Sequence, residues 1–254
     1  MRLYPAFLIC VCITHILTLN FFPSIACSTK DFLLNLTMIP DPLKAKPVDG
    51  AYWTLFVEWI YYFLIAMLLI RPSAKKTYII MFLWLFCSIA SNILYGKNPS
   101  GIPRVLNYVL VPSYSSCFIS GIALWMIKGK INRYNAYGLL LLSQINAFLW
   151  YNVETLVLYG GTLIVLWLIT NYDVEEIFER NSVLKVLSYY GRISYPFYLL
   201  HQRIGYILIY YLVKNGVSSV ASLFITFVII TLGAHCVYVL SDRMSMSLIN
   251  KISK

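Results

Sequence analysis

The sequence predicts an all-α protein, a polytopic bundle of about eight transmembrane helices. Of its 254 residues 60% are hydrophobic and only 12% are charged, whereas roughly a quarter of the residues of a soluble domain are charged. The mean hydropathy is +0.73. The apolar residues form runs of about 20, the length that crosses a bilayer. No repeat or low-complexity tract interrupts them, so residues 1–254 are predicted to form a single membrane domain.

Eight apolar runs are long enough to be taken as spans, and the segment between the first two has its own character. Pro23 to Gly50 is the longest clearly polar connection, and within it Phe32 to Ile39 is apolar but too short to span. Such a piece is predicted to be interfacial or re-entrant. The predicted spans are residues 3–22, 51–70, 77–95, 105–127, 134–150, 155–170, 193–213 and 217–241.

The basic residues predict the orientation of these helices. With the N-terminus in the cytoplasm, thirteen of the 20 Lys and Arg residues fall on the inner side, six on the outer side and Arg203 within a span. This positive-inside bias predicts that both termini are cytoplasmic. The net charge of +10 is therefore explained by topology in a lipid bilayer, and no nucleic-acid partner is predicted.

Cysteine and histidine residues give no sign of a disulfide framework or a metal site. The six cysteines include no C-x-x-C pair and mostly lie in apolar runs, as small core residues do. His15 and His235 each lie alone in a predicted span, without an acidic or cysteine partner at ligand spacing.

Glu58 is the first candidate for chemistry, because it lies within an otherwise uncharged apolar run. A carboxylate at that depth costs about 3 kcal/mol unless it is partnered or functional. On a helix it shares a face with Thr54, Tyr61 and Tyr62, whose hydroxyls could hydrogen-bond it. Two interpretations stay open: a structural polar contact between helices, or a carboxylate that orients or deprotonates a substrate group.

The second candidate is the run from Gly191 to Arg203. Within it and just beyond, four residues fall at i, i+4, i+7 and i+11 and form one stripe along a continuous helix: Ser194, Tyr198, His201 and Gly205. His201 is either a structural hydrogen-bonding residue or part of a site. Arg203 needs an anion within the membrane, and Glu58 is the predicted partner. Exchanging the two charges should then partly restore folding, and a swapped variant no better than either single variant would count against the pair.

These runs resemble the motifs of acyltransferase family 3, membrane proteins that O-acylate sugars of surface polysaccharides, lipopolysaccharide and related glycans. Trp53 to Tyr62, W-T-L-F-V-E-W-I-Y-Y, resembles the family's W-S-L-x-x-E-x-x-F-Y signature, and Gly191 to His201 resembles G-x-I-S-Y-x-x-Y-L-x-H. Arg2-Leu3-Tyr4-Pro5 is similar to the end of R-x-x-R-x-x-P, and Phe118 to Gly121 to F-x-x-G. The motifs occur in the family's order.

The resemblance implies an enzyme of the bacterial inner membrane that uses acyl-CoA, with acetyl-CoA expected, as co-substrate and a glycan as acceptor. No bound cofactor and no metal are expected. Arg2 would contact the phosphates of the donor, since the planar guanidinium makes bidentate bonds to phosphate. Glu58 and His201 are the expected catalytic residues. The residues expected to line the substrate cavity are Trp53, Tyr62, Ser194, Tyr195, Tyr198 and Arg203.

The resemblance also leads us to expect that the chain is N-terminally truncated. Family members have about ten spans, and the first carries an R-x10-H motif whose histidine is taken as the catalytic base. Here the chain starts within the later R-x-x-R motif. Arg2 and His15 do not replace the missing pair, because residues thirteen apart face different sides of a helix at roughly 100° per residue.

Three classes of function are therefore weighed. The first is a glycan O-acyltransferase in truncated form. The second is a catalytically inactive remnant or a helper membrane subunit. The third is a small-solute transporter that relays protons or substrate through Glu58, His201 and Arg203, although the sequence shows no pair of matching halves.

Overall fold

The computed structural model describes residues 3–70, 73–97, 109–171 and 181–252, which form ten α-helices and no strand. The all-α prediction is confirmed. Two short 3₁₀ turns, Pro23–Ile25 and Gly50–Tyr52, accompany the helices. The helices are α1 Leu3–Phe21, α2 Thr29–Asn35, α3 Trp53–Leu69, α4 Ala74–Tyr95, α5 Pro112–Lys128, α6 Arg133–Trp150, α7 Val153–Asn171, α8 Ser182–His201, α9 Arg203–Lys214 and α10 Ser219–Ile252.

Within the described ranges, five helical segments are long and apolar enough to cross a membrane: Leu3–Phe21, Gly50–Leu69, Ala74–Tyr95, Val153–Asn171 and Ser219–Ser247. They correspond to five of the eight predicted spans. The spans predicted at 105–127 and 134–150 appear as α5 and α6, of 17 and 18 residues, and part of the former lies outside the described residues. The seventh predicted span, one helix over 193–213, is wrong, because the chain breaks there into α8 and α9.

The chain divides into two compact units. The terminal unit comprises Met1–Phe56 and Phe178–Lys254, and the central unit comprises Val57–Ile177. Phe7, Tyr52 and Leu199 are at most 1% exposed in the core of the terminal unit. In the central unit Met81, Leu85, Ile119 and Leu139 are fully buried. The assignment of residues 1–254 to a single domain stays a prediction.

Polar contacts tie α5, α6 and α7 together in the central unit. The Tyr159 hydroxyl lies 2.6 Å from the Ser120 hydroxyl, which is itself 2.6 Å from the Ser143 hydroxyl. One turn further along α6, the Asn146 amide donates to the Pro112 carbonyl oxygen at 3.0 Å and to the Ser116 hydroxyl at 2.7 Å. Helices surrounded by lipid gain little from apolar contact with one another, so hydrogen bonds of this kind contribute to their association.

The chain after α1 returns along that helix. The Phe32 ring stacks on His15 with ring centroids 4.3 Å apart. The Tyr4 hydroxyl then donates to the Leu36 carbonyl oxygen at 2.8 Å. Tyr4 and His15 are separated by about 16 Å along a helix of 1.5 Å rise per residue, so the segment runs back along most of α1. The prediction that the apolar piece Phe32 to Ile39 is interfacial or re-entrant stays a prediction.

Ser28 caps the start of α2 within this returning segment. Its hydroxyl accepts from the Asp31 backbone N–H at 3.1 Å and donates to the Asp31 carboxylate at 2.8 Å, so one of the N–H groups exposed at the helix start is satisfied. The hydrogen bond from Ser28 lowers the pKa of the Asp31 carboxyl. Asn35, only 1% exposed, then closes the loop by donating to the Lys46 carbonyl oxygen and accepting from the Val48 N–H.

Candidate functional site

The candidate site is built around the break between α8 and α9. Gln202 separates the two helices with φ −79° and ψ −72°. In an unbroken helix the Arg203 N–H would donate to the Leu199 carbonyl oxygen, four residues earlier. Here the Arg203 N–H donates to the Asp49 carboxylate at 2.9 Å, and the Leu199 carbonyl oxygen accepts from the Tyr52 hydroxyl at 3.1 Å. The chain from Asp49 to Tyr52 therefore satisfies both groups that the break releases.

Asp49 does this as a fully buried carboxylate. Its second oxygen accepts from the Ala51 N–H at 2.9 Å, and so caps the 3₁₀ turn that leads into α3. Both carboxylate oxygens thus accept hydrogen bonds from backbone N–H groups at helix starts, where the helix dipole also favours negative charge. This explains how a charged group is held in the core of the terminal unit.

The predicted polar stripe therefore ends at the break. Ser194, Tyr198 and His201 share α8, but Gly205 belongs to α9, so the prediction of one stripe through Gly205 is wrong. The stripe depended on unbroken helical periodicity, and Asp49 and Tyr52 interrupt that periodicity after His201. Ser194 lies on the exposed part of α8, where its hydroxyl donates to the Gly191 carbonyl oxygen at 2.8 Å.

Tyr198 connects α8 to the start of α3. Its hydroxyl donates to the Ala51 carbonyl oxygen at 2.7 Å and lies 2.8 Å from the Thr54 hydroxyl. The Thr54 hydroxyl is also within hydrogen-bonding distance of the Ala51 carbonyl oxygen, at 3.2 Å. The predicted cavity residue Tyr198 is thus held by protein groups, and its position ties His201 to the beginning of the Glu58 helix.

His201 is exposed and its ring is oriented by its own helix. Its Nδ1 lies 2.6 Å from the Tyr198 carbonyl oxygen. A carbonyl oxygen can only accept, so Nδ1 carries the proton. In the neutral imidazole the lone pair is then on Nε2, the nitrogen available to take a proton. The Phe197 ring lies nearly parallel to the imidazole, with centroids 6.4 Å apart.

The remaining predicted residues are placed as follows. Glu58 is half-buried on α3, which confirms that it shares a helix with Thr54, Tyr61 and Tyr62. Glu58 lies in the central unit and Arg203 in the terminal unit, and the predicted ion pair stays a prediction. Arg2 lies outside the described residues. Trp53 and Tyr62 are 43% and 48% exposed, whereas Tyr195 is half-buried against the core of the terminal unit.

Three residues near the break were not predicted from the sequence: Asp49, Tyr52 and Gln202. The Asp-Gly pair before an apolar run is a helix-start signal, and it could have drawn attention to Asp49. The other two carry no such signal. The Gln202 side-chain oxygen is buried, and no described residue donates a hydrogen bond to it. A Cβ added at Gly50 would lie 3.1 Å from that oxygen, so Gly50 leaves room for the Gln202 amide.

His15 has a partner outside its own helix. Its Nδ1 lies 3.4 Å from the Cys27 sulfur, at the start of the segment that returns along α1. Burial raises the pKa of the Cys27 thiol, so the protonated thiol is favoured. The sequence did not predict this pair, because the two residues are far apart in the chain and meet only when the segment after α1 folds back along that helix. Among the described residues, no group of three or more His, Cys, Asp or Glu is arranged to hold a metal ion.

A comparison with protein families finds a match that covers nearly the whole chain. A family model described as an acyltransferase domain matches residues 1–240. The matched range contains both segments of the candidate site, from Asp49 to Glu58 and from Gly191 to Arg203. No curated protein and no solved structure matches the chain.

Proposed function

Because the chain belongs to acyltransferase family 3 and is a membrane enzyme that transfers acyl groups other than aminoacyl groups, we propose that it moves an acyl group, expected to be acetyl, from acyl-CoA to a sugar hydroxyl of a cell-surface glycan. We further propose that it works in the bacterial inner membrane with both termini in the cytoplasm and without a bound cofactor. The observation that carries the proposal is the oriented imidazole of His201, at the break between α8 and α9.

In the proposed reaction, His201 acts as the general base, the role that the family resemblance gives to the histidine of the R-x10-H motif. Its Nε2 takes the proton of the sugar hydroxyl as the oxygen attacks the thioester carbonyl. The new bond is the ester C–O bond, and the bond that breaks is the C–S bond to coenzyme A. The proton then passes from Nε2 to the leaving thiolate, which leaves the enzyme unchanged. A base positioned in this way contributes roughly 10²–10⁴-fold to the rate.

The surrounding residues support this role by position. The Nδ1–H bond to the Tyr198 carbonyl oxygen selects the tautomer with a basic Nε2. The Tyr198 hydroxyl donates to the Ala51 carbonyl oxygen and lies beside the Thr54 hydroxyl, and Asp49 accepts from the Arg203 N–H. These contacts hold the chain on both sides of the imidazole. From the family resemblance, Glu58 would assist or orient the acceptor, and Arg2 would contact the donor phosphates.

The decisive variant is His201→Asn. The asparagine amide can still donate from the position of Nδ1 to the Tyr198 carbonyl oxygen, but it offers nothing in place of Nε2. The protein is purified from its own membrane, reconstituted in lipid nanodiscs and supplied with radiolabelled acetyl-CoA and the glycan fraction of its host. We expect a loss of at least 100-fold in label transferred to glycan, with the chain still in the membrane.

His235→Asn is the matched control, since His235 lies on α10 against the Tyr189 ring and outside the site, and it should retain activity. Transfer by His201→Asn within twofold of the unaltered chain would overturn the role of His201. Absence of transfer by the unaltered chain would overturn the proposed activity and favour the inactive or helper subunit.

A further inference from the structure

A second site lies within the central unit, between α3, α4 and α5. A half-enclosed cavity of about 390 Å³ opens there. Most of its wall is apolar, with Tyr61 on α3 toward one end and Leu68 and Leu69 toward the other. These residues span roughly 12 Å along the helix at 1.5 Å per residue. A wall of this length can lie alongside part of a linear hydrocarbon chain.

The F-x-x-G motif of α5 shapes this cavity. Gly121 lies on its wall, and a Cβ added there would meet nothing within 4 Å, so the glycine leaves the space open. Phe118, on the same face one turn earlier, stacks on the cavity residue Tyr61 with ring centroids 4.2 Å apart and an interplanar angle of 17°. Phe118 thus fixes the ring at one end of the cavity, and Gly121 preserves its width.

A cation lies close to Leu68. The Lys76 ammonium donates to the Met67 carbonyl oxygen at 2.8 Å. Met67 immediately precedes Leu68 and Leu69, and Thr77 next to Lys76 also lines the cavity. An ammonium group has three N–H donors, so this bond leaves two for an anion. A positive charge therefore lies next to the apolar wall of the cavity at Leu68.

We propose that this cavity binds one acyl chain of an anionic phospholipid, with the lipid phosphate on the Lys76 ammonium. The mouth faces the surroundings of the unit, since Leu69 is 68% exposed and Trp125 is 62% exposed. The segment Gly50–Leu69, which ends with α3, and the helix α4 are both long and apolar enough to span a bilayer. In the topology predicted from the charges, Lys76 lies on the cytoplasmic side, whose leaflet carries anionic lipid.

The binding preference comes from charge and shape. Bulk lipid tails are as apolar as the cavity wall, so moving a chain into the cavity gains little hydrophobic free energy. The preference for one lipid over another is then due to the phosphate contact at Lys76. The room for an acyl chain is due to the open space at Gly121. This inference goes beyond the proposed acyl transfer and does not depend on it.

The test compares two pairs of variants. Lys76→Gln keeps a donor for the Met67 carbonyl oxygen but removes the charge, and its control is Lys75→Gln on the neighbouring residue. Gly121→Leu fills the cavity, and its control is Gly138→Leu on α6, where an added Cβ also meets nothing within 4 Å. Each protein is equilibrated with equal amounts of phosphatidylglycerol and phosphatidylcholine in detergent, and bound lipid is counted by native mass spectrometry.

We expect the unaltered chain and both controls to retain one phosphatidylglycerol in preference to phosphatidylcholine. Lys76→Gln should lower that preference about fivefold, the effect of one charge near an anionic lipid, and Gly121→Leu should bind neither lipid in the cavity. An unaltered chain without preference, or Lys76→Gln and Lys75→Gln with equal preference, would overturn the proposal. Recovery of a long-chain acyl-CoA in place of phospholipid from the native membrane would overturn it too. If Gly121→Leu fails to fold, the lysine pair still decides.

Discussion

The buried carboxylate of Asp49 accepts a hydrogen bond from the backbone N–H of Arg203, 154 residues later in the chain, at 2.9 Å. This bond and the one from Tyr52 to Leu199 hold the helix break directly after His201. The position of the proposed base thus depends on a loop far away in sequence. A buried N–H without an acceptor costs about 1–3 kcal/mol, so the stability of the break can be measured through Asp49.

Replacing Asp49 by alanine should destabilise the protein more than replacing it by asparagine. Asp49→Ala leaves the N–H groups of Arg203 and Ala51 without their acceptor, and we expect the free energy of unfolding to fall by about 3 kcal/mol. Asp49→Asn keeps one oxygen and should lose roughly half of that. Denaturant titration in nanodiscs measures the order, and Asp41→Ala on the exposed loop is the control. Equal stability of all three variants would contradict the bond.

Gly50 and Gln202 should behave as a coupled pair. Gly50→Ala places a Cβ 3.1 Å from the Gln202 side-chain oxygen, a distance at which the amide must move. We expect a loss of stability of about 1 kcal/mol. Gln202→Ala removes the crowded group. Adding Gly50→Ala to the Gln202→Ala variant should therefore cost little further stability. A double-mutant cycle measures this, and simple additivity would show that the two residues do not meet.

Glu58→Gln should abolish acylation of glycan without removing the protein from the membrane. The substitution keeps the size of the side chain but removes its capacity to orient or accept a proton. Labelled acetyl transfer and the amount of protein in the membrane fraction are measured together. Normal transfer by this variant would exclude a catalytic role for Glu58 and leave the structural interpretation of its burial.

Cys27 should alkylate slowly and respond to pH. Only the thiolate reacts, and burial raises the pKa of the Cys27 thiol, so a smaller fraction is thiolate at any given pH below that pKa. The group is also only 6% exposed. At pH 8 we expect Cys27 in the folded protein to react with iodoacetamide at least tenfold more slowly than in the chain unfolded in denaturant. Its rate should keep rising with pH beyond the ordinary thiol range.

Peptide mass spectrometry after timed labelling measures the rate at Cys27 separately from the other cysteines. Replacement of His15 by phenylalanine preserves a ring for the stack on Phe32 and removes the nitrogen that contacts Cys27. A rate for Cys27 in the folded protein equal to its rate in the unfolded chain would mean that the returning segment is open, contrary to the contact between Tyr4 and Leu36.

Sequence by itself determined the class of protein, most of its helices and its family. Apolar runs of about 20 residues with few charges form membrane helices because backbone groups must be paired within lipid, and local composition is sufficient to find them. The motif runs around Glu58 and from Gly191 to His201 likewise depend only on residue order. This is why α3 and the approach to His201 were placed correctly.

Tertiary structure alone decided where the helix breaks and which polar groups meet. Nothing in Leu199 to Arg203 signals a break, since the segment contains neither proline nor glycine. The break is stable because Asp49 and Tyr52 supply an acceptor and a donor to the released backbone groups. The contact of His15 with Cys27 has a similar origin, in a segment that folds back along α1. Such contacts depend on how distant segments pack, and helical periodicity carries no information about them.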